Sequence, residues 1–275
     1  MARLDLDLDL KLRFKRLFWT MGYWCSLEVP VSHYEFRQGK RRRVDLTDID
    51  VLGVRFDPAL QAHRVMADCK SGMESHNRIF WLRGAMQYFE VDSAYFVKTR
   101  ISQRERAIAS RLGIATLDPA ALDRLETRYS TESVGLPLAD PAVYAEQLAL
   151  LSRAGCDSSS KEPQAIGEAR QFCRYMYWYI PRERRILNLL EIGRRISPFL
   201  RGADLADRYL VYHISVLASI ALLDMAGAAA ARDITDVPGQ IRHYLFGGPM
   251  ALAEREKFLM LLNKATGLTE RLEPD

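Results

Sequence analysis

Three strand-like segments follow one another before any helical pattern separates them. They are Cys25–Phe36, Val44–Phe56 and His63–Ser71, and each is rich in apolar and β-branched residues. Pro30 favours a position at the sheet edge for the first of them, because proline cannot donate to a central ladder. The turn between the second and third is indicated by Asp57-Pro58. A fold built on this chain must therefore begin with a sheet.

Helical patterns surround this run of strands. An amphipathic segment precedes it, and further helices and strands alternate after it. The expected elements, in chain order, are a helix over Leu8–Trp24, the three strands, a helix over Ser75–Glu90, a strand over Ser93–Arg100, a helix over Ser102–Gly113 and a strand over Ile114–Asp118. The order α-β-β-β-α-β-α-β predicts an α/β fold with a mixed sheet flanked by helices.

Beyond Asp118 the patterns are almost entirely helical. Two short helices are expected over 118–129 and 140–154, and longer ones over 165–179, 181–196, 203–231 and 250–265. The stretch "GCDSSSKEPQ" (Gly155–Gln164) is polar, serine-rich and close to a proline, which is typical of a linker. We therefore predict a first domain over 1–154, a linker over 155–164 and an all-α recognition or oligomerisation domain over 165–275.

Composition and cysteine usage indicate a soluble protein of the cytoplasm. The 275 residues are 48% hydrophobic and 27% charged, and the four cysteines form no CxxC pair that would indicate zinc. The first ten residues alternate acidic and apolar residues, unlike a signal peptide. The segment from Tyr209 to Ala231 is long and apolar, but it contains His213 and Asp224, which favours a buried helix over a membrane span.

Acidic residues stand on two strands that should be buried. Residues two apart face the same side of a strand, so Asp48 and Asp50 are expected to share a face with Leu52. On the following strand Asp68 and Lys70 share a face in the same way. An isolated buried carboxylate is very unfavourable, so something must compensate these charges.

A divalent metal ion would compensate them. If the two strands are neighbours, Asp50, Asp68 and Lys70 meet at one end of the sheet while Cys69 enters the core. Mg²⁺ prefers oxygen ligands and accepts a small number from the protein. Such an ion polarises a phosphoryl oxygen and lowers the pKa of its bound water, and the lysine steadies developing negative charge. The exposed-strand alternative is a simple salt bridge between Asp68 and Lys70, which would add little stability.

The same residues carry a resemblance to a known family. "IDVLG" (Ile49–Gly53), followed by "ADCKSG" (Ala67–Gly72) within this order of elements, resembles the PD-(D/E)XK nuclease superfamily over roughly residues 10–118. The likeness is to archaeal Holliday-junction resolvases and restriction-type endonucleases. It implies a restriction-endonuclease-like fold, Mg²⁺ or Mn²⁺ held by Asp50 and Asp68, and catalysis by Asp50, Asp68 and Lys70.

Two positions depart from the family pattern. Many members carry a glutamate on the first helix, where this sequence has Lys11 near the expected place. Asp9 or Glu28 could replace that acid, and the residues alone do not decide between them. The second acid of the motif is Asp68 rather than the longer glutamate, which would alter the geometry of a bound metal.

Cationic stretches are the candidates for contacting nucleic acid. Lys40, Arg41, Arg42 and Arg43 form a run on what is expected to be a loop leading into the acidic strand, in a chain of net charge +4. They either contact phosphates or solvate the loop. The aromatic and arginine-rich stretch over 170–196 has the same two interpretations, as a surface for phosphates or as an amphipathic helix pair.

The sequence thus predicts a metal-dependent nuclease acting on nucleic acid, with a DNA endonuclease of restriction, defence or repair type preferred. The residues leave DNA and RNA open as substrates. One alternative is a catalytically silent nuclease-fold module that binds nucleic acid or serves as an adaptor in a larger complex. Another is a helical scaffold. A nuclease that cuts both strands of a duplex often needs two active sites, so a homodimer, or a partner protein, is expected through the helical half.

Overall fold

The computed structural model describes residues 6–37, 40–70, 77–131, 139–155, 163–231 and 235–245, together with the single positions 257 and 260. For 32–37, 40–43 and 45–46 it describes the backbone alone. Most of the expected linker, residues 156–162, and nearly all of the expected helix over 250–265 lie outside the described residues.

A five-stranded mixed sheet forms the centre of the fold, as predicted. Its strands are β1 (Trp24–Arg37), β2 (Lys40–Phe56), β3 (Ala62–Lys70), β4 (Ser93–Lys98) and β5 (Ile114–Leu117), and their spatial order follows the chain. The first three strands pair antiparallel and the last three pair parallel. β1 lies at the edge, which agrees with Pro30 in its sequence.

Helices cover both faces and form most of the rest of the described chain. They are α1 (Leu6–Thr20), α2 (Asn77–Tyr88), α3 (Gln103–Arg111), α4 (Pro119–Arg128), α5 (Pro141–Arg153), α6 (Gln164–Arg174), α7 (Arg182–Ile196), α8 (Leu205–Ala230) and α9 (Val237–Leu245). The helix expected over 165–179 ends at Arg174 and is followed by a short 3₁₀ turn, Met176–Trp178. The sequence analysis did not anticipate α9.

Two hydrophobic clusters lie on opposite faces of the sheet. The α1-side cluster joins α1 and α4 to strand residues that include Val51, Ala67 and Cys69. The α2-side cluster joins α2 and α3 to the other face, where Leu52 and Met66 lie. Cys69 is therefore buried in the core, as the strand alternation predicted.

The helical part docks directly on the sheet. Phe172, Tyr177, Trp178, Ile186 and Leu217 belong to the same α2-side cluster as the strand residues. The helical half therefore contacts the sheet through a shared hydrophobic core. A third cluster joins α5, which precedes the expected linker, to α6, α7 and α8, which follow it. Hydrophobic contacts therefore connect the two sides of the expected linker.

Helix α8 is long and apolar enough that length and composition alone would allow it to span a bilayer. Its 26 residues have a mean hydropathy of 1.7 in their most apolar window. Within this fold it contacts α5, α7 and α9. It also carries two buried carboxylates, Asp207 and Asp224. Asp207 accepts hydrogen bonds from the backbone N–H groups of Gly155 and Arg201, which ties the start of the helix to neighbouring loops.

Candidate active site

The candidate site lies where β2 separates from β3. The ladder between these strands ends at the pair Val51–Ala67, one residue after Asp50 in β2. At that point the Oδ2 atom of Asp50 accepts a hydrogen bond of 2.6 Å from the backbone N–H of Cys69. A carboxylate thus continues the pairing where the backbone of β2 no longer does, and Asp50 is completely buried.

The regular alternation of β2 is interrupted at this carboxylate. Ile49 and Leu52 both belong to the α2-side cluster although they are three residues apart. Opposite Asp50, Glu28 of β1 has a left-handed φ of 52°, a conformation that costs a non-glycine residue free energy. The shared cluster of Ile49 and Leu52 and the left-handed conformation of Glu28 both mark a departure from regular strand alternation near Asp50.

Three predicted site residues are brought together here. The Nζ atom of Lys70 lies 3.8 Å from Oδ2 of Asp50. The charge of Asp68 is near enough to act on Asp50, whose pKa is raised to about 6. Burial is the main cause of that rise, and repulsion from Asp68 is the second. The ammonium groups of Lys11 and Lys70 oppose it.

Asp68 is held by an arginine that the sequence analysis did not identify. Its carboxylate is 1% exposed and is bound in bidentate fashion by Arg78, with Nη2 to Oδ1 at 2.7 Å and Nε to Oδ2 at 3.0 Å. The guanidinium lies 3.7 Å from the ring centroid of Trp81 and donates a hydrogen bond to Thr47 of β2. Arg78 lies in the first turn of α2, beside the buried residues Ile79 and Leu82 that fix this helix on the sheet.

Lys11 is the second cation that sequence reasoning did not place in the site. Its Nζ atom lies 3.1 Å from both Glu28 Oε1 and Asp50 Oδ1, and 3.8 Å from Asp48 Oδ2. Burial alone would lower the pKa of Lys11, but the charges and hydrogen bonds of Asp50 and Glu28 outweigh burial and raise it. The lysine is held on α1, whose buried residues Leu12 and Phe14 pack on the sheet.

Of the two acids considered as replacements for the first-helix glutamate, Glu28 joins this group. It contacts Lys11, and its Oε2 atom accepts a hydrogen bond of 3.4 Å from the hydroxyl of Tyr144 in α5. The described contacts do not join Asp9 to the group. The residues that surround Asp50 therefore come from α1, β1, β2 and β3. Helix α2 contributes Arg78, which binds Asp68.

The carboxylates fit a divalent metal ion in the chemistry of their donors. Asp50 and Asp68 offer oxygen ligands, and Mg²⁺ takes few protein ligands and keeps several waters. Oδ1 of Asp50 is a buried oxygen that contacts Lys11 but accepts no hydrogen bond of regular geometry. Within the described residues, no three His, Cys, Asp or Glu side chains are grouped closely enough to hold a metal together. A bound ion would therefore compete with Lys11 and Arg78 for these oxygens.

The basic run occupies a different place from the one expected. Lys40, Arg41, Arg42 and Arg43 belong to β2 itself, where they pair with Arg37, Phe36, Glu35 and Tyr34 of β1, so the loop prediction was wrong. Continued backbone pairing with β1 overrides the low strand preference of lysine. At roughly 3.3 Å per residue, the backbone of Arg43 is about 23 Å along the strand from Asp50.

Comparisons with known proteins add little to this description. No family profile matches the sequence, and no curated protein matches it. One solved structure, described as a protein of unknown function, AF1548, aligns with 77% of this chain and 98% of its own at 14% sequence identity. Its TM-score of 0.34 is too low to support an argument about fold or function.

Proposed function

We propose that this protein is a metal-dependent nuclease that hydrolyses phosphodiester bonds of nucleic acid, with DNA endonuclease activity preferred. The observation that supports it most is the meeting of Asp50, Asp68 and Lys70 at the point where β2 and β3 separate. The buried carboxylates, an adjacent ammonium group and a strand end are the parts that such chemistry requires. Mg²⁺ or Mn²⁺ is the proposed cofactor.

In this proposal each residue has a defined role. Asp50 and Asp68 hold the metal, which would polarise a phosphoryl oxygen and lower the pKa of its water. The backbone N–H of Cys69 fixes Oδ2 of Asp50, so that Oδ1 is the oxygen for which a metal would compete with Lys11. Lys70 orients the attacking water and steadies the negative charge that develops on the phosphate.

The substrate would extend from the acidic site along the β1–β2 ribbon. About 23 Å of strand separates Asp50 from the run Lys40–Arg43, and successive phosphates of one DNA strand advance about 3.4 Å along the helix axis. The run would therefore contact phosphates several nucleotides from the bond that is cut. We further propose that the protein acts in the cytoplasm without a membrane partner, and that its helical part mediates homodimerisation or binds a partner protein.

The decisive experiment measures cleavage of supercoiled plasmid, linear duplex, single strands and RNA, each with Mg²⁺, Mn²⁺ or EDTA. Asp50→Asn, Asp68→Asn and Lys70→Met should each reduce metal-dependent cleavage at least a hundredfold, while their folding is checked by circular dichroism. Asp224→Asn is the matched control, since Asp224 is also a buried carboxylate paired with arginines but lies near Arg64, at the other end of β3. Cleavage that survives in all three site variants would refute the proposal.

A second candidate function, a silent nuclease-fold module that binds nucleic acid or acts as an adaptor, is favoured by one observation. Arg78 binds both oxygens of Asp68, and Lys11 lies against Asp50, so cations already neutralise both carboxylates. Titration with Mn²⁺ separates the candidates. Arg78→Gln should bind Mn²⁺ about tenfold more tightly than the wild type, a gain of about 1.4 kcal/mol, if a metal and Arg78 compete for Asp68.

Arg83→Gln is the control for this titration, because Arg83 is an exposed residue of the same helix. Saturable Mn²⁺ binding by the wild type, strengthened in Arg78→Gln alone, supports the nuclease. If neither protein binds Mn²⁺ while both bind DNA, the silent module is the correct description.

A further inference from the structure

A cavity of about 270 Å³ lies beside the outer edge of the sheet, apart from the carboxylates of the candidate site. Residues of α1, β1, α5, α6 and α8 line it, so it is formed where the helical part meets the sheet. Its volume is close to the lower end of the roughly 300–1,000 Å³ typical of small-molecule sites. The cavity has room for one planar ring system.

Aromatic rings form much of its wall. Trp19, Trp24, Tyr144 and Tyr212 all line it, and Trp19 and Tyr212 are 44% and 67% exposed. Trp24 is fixed from behind by Trp178, whose ring is nearly parallel to its own at a centroid distance of 6.0 Å. Large exposed aromatic side chains around a cavity offer stacking surfaces for a planar ring, which are worth roughly 1–3 kcal/mol per nucleobase.

Two cations at the same cavity have no carboxylate partner among the described residues. Lys15 lies 5.7 Å from the ring centroid of Tyr144, and Arg174 of α6 lines the same cavity. The side chain of Lys15 is partly buried, and burial lowers its pKa. Glu28 accepts a hydrogen bond from the hydroxyl of Tyr144. It is already paired with Lys11 and so does not neutralise Lys15. A partly buried, unpaired ammonium group favours an anionic ligand.

The cavity also has access to backbone hydrogen-bonding groups. The four consecutive residues Trp24–Leu27 line it, and consecutive residues alternate between the two faces of a strand. The strand therefore presents its edge to the cavity. β1 is the edge strand of the described sheet, so the outer N–H and C=O groups of this segment have no strand partner there. Such groups pair readily with the polar edge of a heteroaromatic ring.

We propose that this cavity binds a nucleotide, with its base between the aromatic side chains and against the edge of β1, and its phosphate at Lys15 and Arg174. An uncharged apolar ligand would leave the ammonium group of Lys15 without compensation, and inorganic phosphate would leave the aromatic walls empty. This site is additional to the proposed nuclease centre. The two sites are joined by the contacts from Tyr144, which lines the cavity, to Glu28 and from Glu28 to Lys11.

Binding is tested with the full chain in EDTA, so that the result does not depend on metal or cleavage. AMP, GMP, CMP and UMP, the corresponding nucleosides and inorganic phosphate are titrated by calorimetry and by tryptophan fluorescence. At least one nucleotide should bind saturably, and more tightly than its nucleoside or phosphate. Lys15→Met should weaken nucleotide binding about tenfold or more with little effect on the nucleoside, whereas Trp19→Ala should weaken both.

Arg111→Gln is the matched control, since Arg111 is an exposed arginine of α3 by the opposite edge of the sheet. Circular dichroism melts establish that each variant is folded, and Arg174→Gln provides a second cation variant at an exposed position. Absence of saturable binding by all four nucleotides would overturn the proposal. Equal affinities in the wild type, Lys15→Met and Arg174→Gln would overturn it as well.

Discussion

One ammonium group, that of Lys11, keeps several carboxylates together inside the protein. It contacts Glu28 and Asp50 at 3.1 Å and lies within 4 Å of Asp48. Asp50 is fully buried and Lys11 is 12% exposed, so this charge interacts with little screening by water. When one partner of a buried ion pair is removed, the remaining charge is left without compensation, and this loss exceeds the net value of the pair.

We therefore expect Lys11→Met to lower the free energy of unfolding by about 3 kcal/mol in EDTA. For a chain of this size that corresponds to a fall in Tm of roughly 6–12 °C. Mn²⁺ should restore part of the loss, because a divalent ion would neutralise the same oxygens. Lys15→Met is the control on the same helix. Equal destabilisation of the two variants, or no response of Lys11→Met to Mn²⁺, would contradict this role for Lys11.

Sequence reasoning reached part of this site and not the rest. Asp50, Asp68 and Lys70 could be predicted to meet, because they lie on two consecutive strands that were expected to be neighbours, and simple strand geometry relates them. Lys11 and Arg78 come from two helices, and their contacts depend on how those helices pack. The sequence contains only a weak signal for Lys11, namely its place near the position where the resembling family carries a glutamate.

At the scale of elements, the connection between β4 and α3 is fixed by a buried ion pair and a helix cap. Lys98 at the end of β4 donates to Glu105 at 2.7 Å, and Ser102 and Glu105 form a reciprocal capping box at the start of α3. Burial would raise the pKa of Glu105, but Lys98 and Ser102 outweigh burial and lower it to about 2. The carboxylate of Glu105 is therefore much more acidic in the folded state than in the unfolded chain.

This shift predicts how stability depends on pH. Because the pKa of Glu105 is lower when folded, its contribution is complete above about pH 4.5 and is lost as the pH falls towards 2. Glu105→Gln should lower the free energy of unfolding at pH 7 by about 2–3 kcal/mol, and the difference should shrink steadily below pH 4.5. Urea unfolding between pH 7 and 3 measures it. Glu191→Gln, in the exposed pair with Arg194, should change stability by less than about 0.5 kcal/mol.

The basic run on the long β1–β2 ribbon predicts how DNA binding depends on salt concentration. Neutralising Lys40, Arg41, Arg42 and Arg43 together should weaken binding to all DNA sequences alike. The slope of log affinity against log salt should fall by up to about 0.9 for each phosphate that the variant no longer neutralises. The matched control neutralises Arg124 and Arg128, two exposed arginines of α4. An unchanged slope in the ribbon variant would show that these cations do not contact DNA.

Element order was predictable, and element limits less so. Periodicity placed every strand and the helices from α1 to α8, because the buried stripes repeat every two residues in strands and about every 3.6 in helices. It stopped β2 short of the basic run, since four consecutive cations do not resemble a strand. The start of β2 is set by its partner strand, because backbone pairing with β1 continues as far as Arg37–Lys40 and so includes the basic run.

At the scale of the whole molecule, the helical part and the sheet share a core. Tyr177 is completely buried, and its hydroxyl donates to the backbone of Leu217, while its ring belongs to the cluster that covers β2 and β3. Near it, Arg64 of β3 lies 3.8 Å from Asp224 of α8, so a buried ion pair also joins the two parts. Removal of these helices would expose to water the part of this face that α2 and α3 do not cover.

We therefore expect a chain truncated after Ala154 to be poorly soluble or only partly folded, and the full chain to unfold in one cooperative transition. The truncated chain should bind the dye ANS and lose its near-ultraviolet circular dichroism, because its sheet would lack Tyr177, Trp178 and Leu217 on one face. Calorimetry and dye binding measure this. A soluble fragment with the Tm of the full chain would show that the sheet domain is independent.

The shared core has a consequence for how this protein can be divided and inherited. A chain cut between Gly155 and Pro163 would behave as two fragments of one structure, each stabilised by the other, so the pieces should recover a native fold when they are co-expressed. For the same reason, the helical segment is not a module that recombination could transfer alone to another sheet. An exchange would succeed only with a recipient surface that already complements Tyr177 and Trp178 and supplies a cation opposite Asp224.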